Sequence, residues 1–232
     1  LPQYADNQIY DWESTDYPVC WGSCYDAIIY CNLRSKADGL TPVYYIEIDD
    51  KNETDIDKWI NIIPEYKTGK KRLVKEEGKY VWRGAQVGNG SFCTELDEGI
   101  QFNQDANGYR LPTEVEWEYI ARGGNNGIPN VQYLYSGSDD PSGYVVGDGN
   151  VVSDCALIKT KNPNALGIYD MSGNAFEWVW DWYEADVNIT ESTPATGPEE
   201  CYSNNSGSTG RVKKGGSYNN SIENSKIRYR TY

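Results

Sequence analysis

The sequence predicts an α+β fold with two helices, small twisted antiparallel sheets and extensive loops. Three observations predict it. Two stretches carry helix start and stop signals. Several short runs carry strand patterning, one of them strictly alternating. Long segments of Gly, Asn, Ser and Asp lie between them.

The first helix lies in SCYDAIIYCNLRSK, residues 23–36. Ser23 is placed to cap it, with Asp26 three residues on as a weaker capping box. Cys24, Ala27, Ile28 and Cys31 recur at i, i+3, i+4 and i+7, which makes one buried face. Asp38-Gly39 stops it. Cys31 is therefore expected to pack a core and not to do redox chemistry. The second helix lies in YRLPTEVEWEYIARGG, residues 109–124. Thr113 and Glu116 form a full capping box, Pro112 precedes the cap, and Gly123-Gly124 ends the helix. Trp117, Ile120 and Ala121 form its inner face.

Strand patterning covers TPVYYIEI (41–48), a hairpin around LVKEEGKYVW (73–82), and FEWVWDWY (176–183). In the last, Phe176, Trp178, Trp180 and Trp182 point one way and Glu177, Val179 and Asp181 the other. RVKKGGSY (211–218) reads as a turn into a strand and KIRYRTY (226–232) as a final strand. Residues 1–16 read as an irregular lead-in. No repeat and no linker divides the chain, so one domain over 1–232 is expected. The proportion of loop is high, and loops on a rigid scaffold usually do the binding.

Composition narrows the function. The chain has 232 residues, enough for a substantial core. Its 20 Tyr and 8 Trp against 3 Phe and 1 Met mean that buried rings bring polar handles. A net charge of −14 repels phosphate backbones, so no nucleic-acid partner is expected. No apolar run approaches the ~20 residues of a membrane span, so no direct membrane insertion is expected. No signal peptide is visible; a leader, if the protein is exported, lies outside this sequence. Residues 211–232 are locally basic, with six Lys and Arg against Glu223, a charge of +5. Such a strip is read first as pairing with the acidic body. Histidine is absent, which removes His-based triads and His–metal sites. The six cysteines contain no CxxC pair, which argues against zinc ribbons and thioredoxin-like chemistry. Disulfides of an exported protein and buried free thiols both fit the count. The pairs Glu114/Glu118 and Asp139/Asp140 are expected to face solvent.

Three long segments occur in a set order: GYRLPTEVEWEYIARGG, NPNALGIYDMSGNAFEWVWDWY and RVKKGGSY…RYR. Together they resemble the formylglycine-generating-enzyme (FGE-sulfatase) family, a branch of the C-type-lectin-like fold. YPVCWGSCYDAIIYCN resembles that family's first helix region. The resemblance spans roughly residues 17–232. It also implies a strand ahead of the PV region and a closing strand after RYR. The chain is therefore expected either to be incomplete at both ends or to finish its sheet another way.

Family enzymes oxidise a substrate cysteine with two cysteines of their own, and the matching positions here are Asn220 and Ser225. Neither can form a thiolate, a disulfide or a copper–thiolate bond, so no catalytic residue and no copper are expected. Around them lie Tyr218, Asn219, Asn220, Ser221, Asn224, Ser225, Tyr229 and Tyr232, with Tyr202, Asn204 and Asn205 just upstream. Antibody loops use the same mixture of rigid Tyr area and adaptable Asn and Ser hydrogen bonds. The segment also resembles the variable region of diversity-generating retroelement proteins, which are C-type-lectin-like receptors. That resemblance implies a ligand-binding region over 202–232, with Trp180 and Trp182 lending their edges. It implies a protein or glycan partner on another cell or particle, and export to the bacterial cell surface as a lipoprotein. A cysteine oxidase and a fixed structural paralogue of the same fold stay open as alternatives.

The turn DMSGNAFE holds Asp170, Gly173, Ala175 and Glu177. In the related enzymes this turn binds calcium through two side chains and two backbone carbonyls. The resemblance therefore implies a structural Ca2+ here, an ion that prefers all-oxygen shells. Read from the residues alone, the alternative is that Asp170 and Glu177 only cap the turn before the Trp strand, and the sequence favours the ion over it. A Glu buried beside Trp178 would then need another partner.

Overall fold

The computed structural model describes residues 16–18, 24–59, 73–76, 79–82, 100–126, 132–147, 155–183 and 210–231. They form two compact units, one built mainly from 21–111 and the other mainly from 112–202 with 210–232. No helix among the described residues is long and apolar enough to cross a membrane.

In the first unit, helix α1 spans Cys24–Ala37. Cys24, Ile28 and Cys31 are buried as the spacing predicts, Ala27 is half-buried, and Ile29, Asn32 and Ser35 join the buried side. Ser23 lies outside the described residues. Gly39 takes the left-handed conformation (φ 71°), and Leu40 N–H returns to the Ser35 carbonyl at 2.8 Å, which closes the helix. Burial pushes the Cys31 thiol up to about 11, so it stays protonated and inert. Strands β1 (Tyr44–Ile48), β2 (Lys51–Glu53) and β5 (Ile100–Phe102) form an antiparallel sheet in the order β2-β1-β5. Asn32 docks helix on sheet: its Nδ2 donates to the Tyr44 carbonyl (2.6 Å) and its Oδ1 accepts from Tyr44 N–H (3.0 Å). The Tyr44 hydroxyl in turn accepts from Leu111 N–H at 2.9 Å. A one-turn helix, α2 (Ile56–Trp59), adds a third helix to the two expected. Strands β3 (Leu73–Glu76) and β4 (Lys79–Trp82) pair antiparallel as the expected hairpin.

In the second unit, α3 (Glu114–Ala121) carries both halves of the capping box. Glu116 N–H donates to Thr113 Oγ1 (3.2 Å) and Thr113 N–H donates to Glu116 Oε2 (2.9 Å). Trp117 and Ala121 are buried against Met171, Val179, Val212 and Ile227, with Ile120 partly covered. Burying a side chain of this kind is worth about 1.5–3 kcal/mol. Strands β6 (Glu177–Trp182) and β7 (Arg211–Lys214) pair antiparallel, with an irregularity between Trp178 and Trp182. In β6, Val179 turns to the core, while Trp178, Trp180 and Trp182, with Phe176 just ahead of the strand, share the face covered by Lys213 and Arg211; Asp181 and Trp182 are both buried.

Two expectations are corrected. RVKKGGSY is a strand followed by a turn, because Gly215 (φ 85°) and Gly216 (φ 75°) end β7. KIRYRTY is not a strand; only Thr231 bridges β7, exchanging two hydrogen bonds with Lys213. Ile227 N–H is tied to the Leu134 carbonyl and Tyr229 N–H folds back on Lys226, so 226–230 cannot run alongside β7.

Candidate functional site

Strand β7, its glycine turn and the 3-10 helix Ile222–Ser225 carry the C-terminal segment. Gly173 N–H donates to the Gly215 carbonyl at 2.6 Å, which pins the turn. A Cβ on Gly216 would stand 2.7 Å from Ser225 Oγ, and one on Gly173 would stand 1.9 Å from the Val146 carbonyl oxygen. Both glycines are required by close approach. Beyond the turn, Tyr218 N–H donates to the Asn174 carbonyl (2.9 Å). The Ser217 hydroxyl donates to Asn220 Oδ1. The Ser221 hydroxyl reaches Asn224 Oδ1 at 3.2 Å.

This arrangement sorts the expected binding residues. Asn219 and Ser221 are exposed; Asn220, Asn224 and Tyr229 are half-buried. Tyr218 and Ser225 are buried, so they are corrected from surface to support. Ser225 packs under Gly216 with its Oγ sealed from solvent and unpaired. Trp182 is corrected too, being buried, while Trp180 is half-buried. The Arg211 guanidinium lies 3.7 Å from the Trp180 ring centroid and 3.6 Å from that of Trp182. It also donates to the Trp180 carbonyl. Those ring faces are thus taken up inside the protein by a cation–π stack. Lys213 covers Phe176 and Trp178 in the same way, and burial holds its amine below the usual lysine range. Tyr202, Asn204, Asn205 and Tyr232 lie outside the described residues.

The basic strip pairs inward, as its charge suggested. Lys214 sits between Glu118 (2.9 Å) and Glu114 (3.2 Å), and Arg230 donates to Glu114 at 2.7 Å. Glu114 is 2% exposed, so the expectation that it faces solvent is corrected: it pairs with the buried Lys214 and the half-buried Arg230. Asp139 and Asp140 are exposed as expected. Asp181 Oδ2 accepts the N–H of Glu114 (2.7 Å) at the helix start. Burial raises the Asp181 carboxyl to about 6, with Glu114 adding to the shift and the Glu114 N–H and Arg211 opposing it.

Asn174 is a residue that sequence reasoning missed. It is buried and left-handed (φ 62°). Its Oδ1 accepts from Ala156 N–H, its N–H donates to the Val146 carbonyl, and its own carbonyl holds Tyr218. The only local signal was its place in a Ser-Gly-Asn turn. Cys155, next to Ala156, is disulfide-bonded; Cys24 and Cys31 are buried thiols outside any disulfide. Cys201 lies outside the described residues.

Of the residues expected to hold calcium, Asp170 and Glu177 offer the side-chain oxygens. Asp170 takes a left-handed backbone (φ 59°), and its Oδ2 accepts from Lys159 N–H at 2.8 Å. Its Oδ1 is buried without a hydrogen-bond partner. Glu177 Oε2 accepts from Trp117 Nε1 at 2.6 Å. Burial raises the Glu177 carboxyl to about 7, and the neighbouring charge of Asp170 adds to the rise. A hard cation between two such carboxylates would relieve both the orphaned oxygen and the repulsion.

Residues 3–232 match the FGE-sulfatase family, described as the sulfatase-modifying factor enzyme 1-like domain. The chain belongs to this family. The FGE-sulfatase chain is 31% identical over 233 residues to the chaperone protein LppX of Paenibacillus barcinonensis, covering 91% of this chain and 61% of LppX. It is 37% identical over 128 residues to the formylglycine-generating enzyme of Thermomonospora curvata, covering 48% of this chain and 39% of the enzyme. It thus spans about three fifths of LppX and two fifths of that enzyme. Among solved structures it resembles Treponema denticola variable protein 1, with a TM-score of 0.66, 26% identity, and coverage of 100% of this chain and 68% of that one. It also resembles CarF, with a TM-score of 0.54 and 25% identity over 93% of this chain. The α+β FGE-sulfatase fold with small antiparallel sheets is established on these grounds.

Proposed function

We propose that this domain is a non-catalytic ligand receptor, the variable protein of a diversity-generating retroelement. It displays Asn219, Asn220, Ser221, Asn224 and Tyr229 to a protein or glycan on another cell or particle. One observation carries the reading. The position matched to a reactive cysteine of the family enzymes is Ser225, buried under Gly216, while the Asn and Ser side chains of the same loop reach solvent. Such a loop on a rigid support is suited to changes of side chain without changes of fold. The likeness to a protein titled variable protein 1 supports the assignment, and a relative named as a chaperone supports a binding role on this frame. Export to the bacterial surface as a lipoprotein and a structural calcium at Asp170, Gly173, Ala175 and Glu177 belong to the same proposal.

Sequencing this gene in sibling isolates tests it. Substitutions concentrated at 219, 220, 221, 224 and 229, with 211–218 and 225 unchanged, support the receptor. Uniform sequences overturn the diversification. Copper-dependent turnover of a cysteine peptide that is lost in Cys201→Ser would overturn the non-catalytic reading.

A further inference from the structure

Arg228 stands apart from the rest of the basic strip. Lys214 and Arg230 are held by Glu114, Lys226 by Glu223, and Arg211 and Lys213 by aromatic rings. Arg228 is exposed and donates to Gln132 Oε1 at 2.8 Å, a neutral acceptor, and it makes no ion pair among the described residues. Two residues from Gln132, Leu134 is 46% exposed although both ends of its peptide unit are tied. Its N–H donates to Asp139 Oδ1 (2.8 Å), and its carbonyl accepts from Ile227 N–H (2.8 Å), a residue wholly in the core. The segment lies against the display loop. Burial holds the Tyr135 phenol above its ordinary range, and Lys226 and Glu223 both act on it across the gap.

An exposed apolar side chain on a backbone tied at both its N–H and its carbonyl, beside a cation with a neutral partner, is a preorganised contact. A few residues carry most of the affinity in protein interfaces, and Arg is enriched among them. On a chain of charge −14, a free guanidinium also selects the sign of its partner. We propose that the binding surface continues from the display loop onto Gln132–Leu134. There, Leu134 and Arg228 form a constant anchor for a protein segment that presents a carboxylate beside an apolar side chain. This rests on the receptor reading, with the anchor supplying affinity and the Asn and Ser positions supplying choice.

The test uses short random peptides displayed on phage, selected on the immobilised full chain. The expected result is enrichment of Asp or Glu next to Leu, Ile or Phe. Affinity should fall about tenfold in Leu134→Ala and in Arg228→Gln, and also in Asn220→Ala or Asn224→Ala. Leu166→Ala, another exposed leucine of the same unit, should leave affinity unchanged. Matching thermal unfolding curves for all variants exclude misfolding as the cause. Peptides that lose affinity only in the Asn variants overturn the anchor and leave the receptor reading standing. Peptides indifferent to all four changes overturn both. Binders found only on a glycan array overturn the protein assignment.

Discussion

The ammonium of Lys214, with no exposed surface, lies 3.2 Å from a carboxylate oxygen of Glu114 on the first turn of α3. Glu118 and Arg230 complete the cluster, and the Trp117 ring lies 5.4 Å from the same ammonium. The pair joins β7, which leads into the display loop, to the helix that carries the core. Lys214→Met should cost about 3 kcal/mol, because it leaves buried negative charge with one cation fewer. Urea unfolding checks this through a lower midpoint at unchanged slope. A loss under about 1 kcal/mol would show that the cluster is incidental.

Asp181 predicts a pH dependence. Its carboxyl is raised by burial from the ordinary 3.8 to about 6, so the folded state holds that proton where the unfolded chain has released it. Its contribution to stability is therefore favourable at low pH and falls as pH rises from about 4 to 6, by at most about 3 kcal/mol. Asp181→Asn keeps an oxygen for the Glu114 N–H and removes the charge. The variant should lack this decline, so its advantage over the parent grows from pH 4 to 6 and then levels. Urea midpoints measured across that range would refute the assignment if the two curves stayed parallel.

Calcium should raise the thermal unfolding midpoint, and chelator should lower it. Saturation at a hundred times the dissociation constant corresponds to about 2.7 kcal/mol. Asp170→Asn should abolish the response, since it removes the charge of a half-buried carboxylate whose Oδ1 is buried without a hydrogen-bond partner. Isothermal titration of the two proteins with calcium chloride reads the difference directly. Equal heats in both would remove Asp170 from the ligand set.

Thiols placed at the two family positions should report their different surroundings. Asn220→Cys should react with a maleimide in the native protein, because position 220 is half-buried at the loop. Ser225→Cys should react only after denaturant is added, because the Ser225 side chain has no exposed surface and lies under Gly216. Cys24 and Cys31 are buried, and labelling of each variant is read as the excess over the parent protein with and without denaturant. Fast native labelling at 225 would mean that the pocket is open.

Much of the scaffold was legible locally. The capping box of Thr113 and Glu116, the glycine stop at Gly39 and the packing role of Cys31 each depend on residues within a turn or two of one another. The alternation of β6 and the β3–β4 hairpin are also short-range patterns. The exposure of the Asn and Ser residues at 219 and 221 followed from composition and turn chemistry.

Burial and pairing were not legible in this way. Tyr218 and Ser225 have the same composition as their exposed neighbours, and only the double left-handed turn at Gly215-Gly216 brings Ser225 beneath the chain. The Trp180 and Trp182 faces looked available because Arg211, about thirty positions away, reaches them only through the β6–β7 register. Sequence by itself determined the family scaffold, its caps and the loss of sulfur at 220 and 225, since those are written in residue identity and near spacing. Tertiary structure alone decided which polar groups meet water and which meet each other. Desolvation and long-range charge pairing, such as Lys214 with Glu114 across 100 positions, depend on the folded path and on no local pattern.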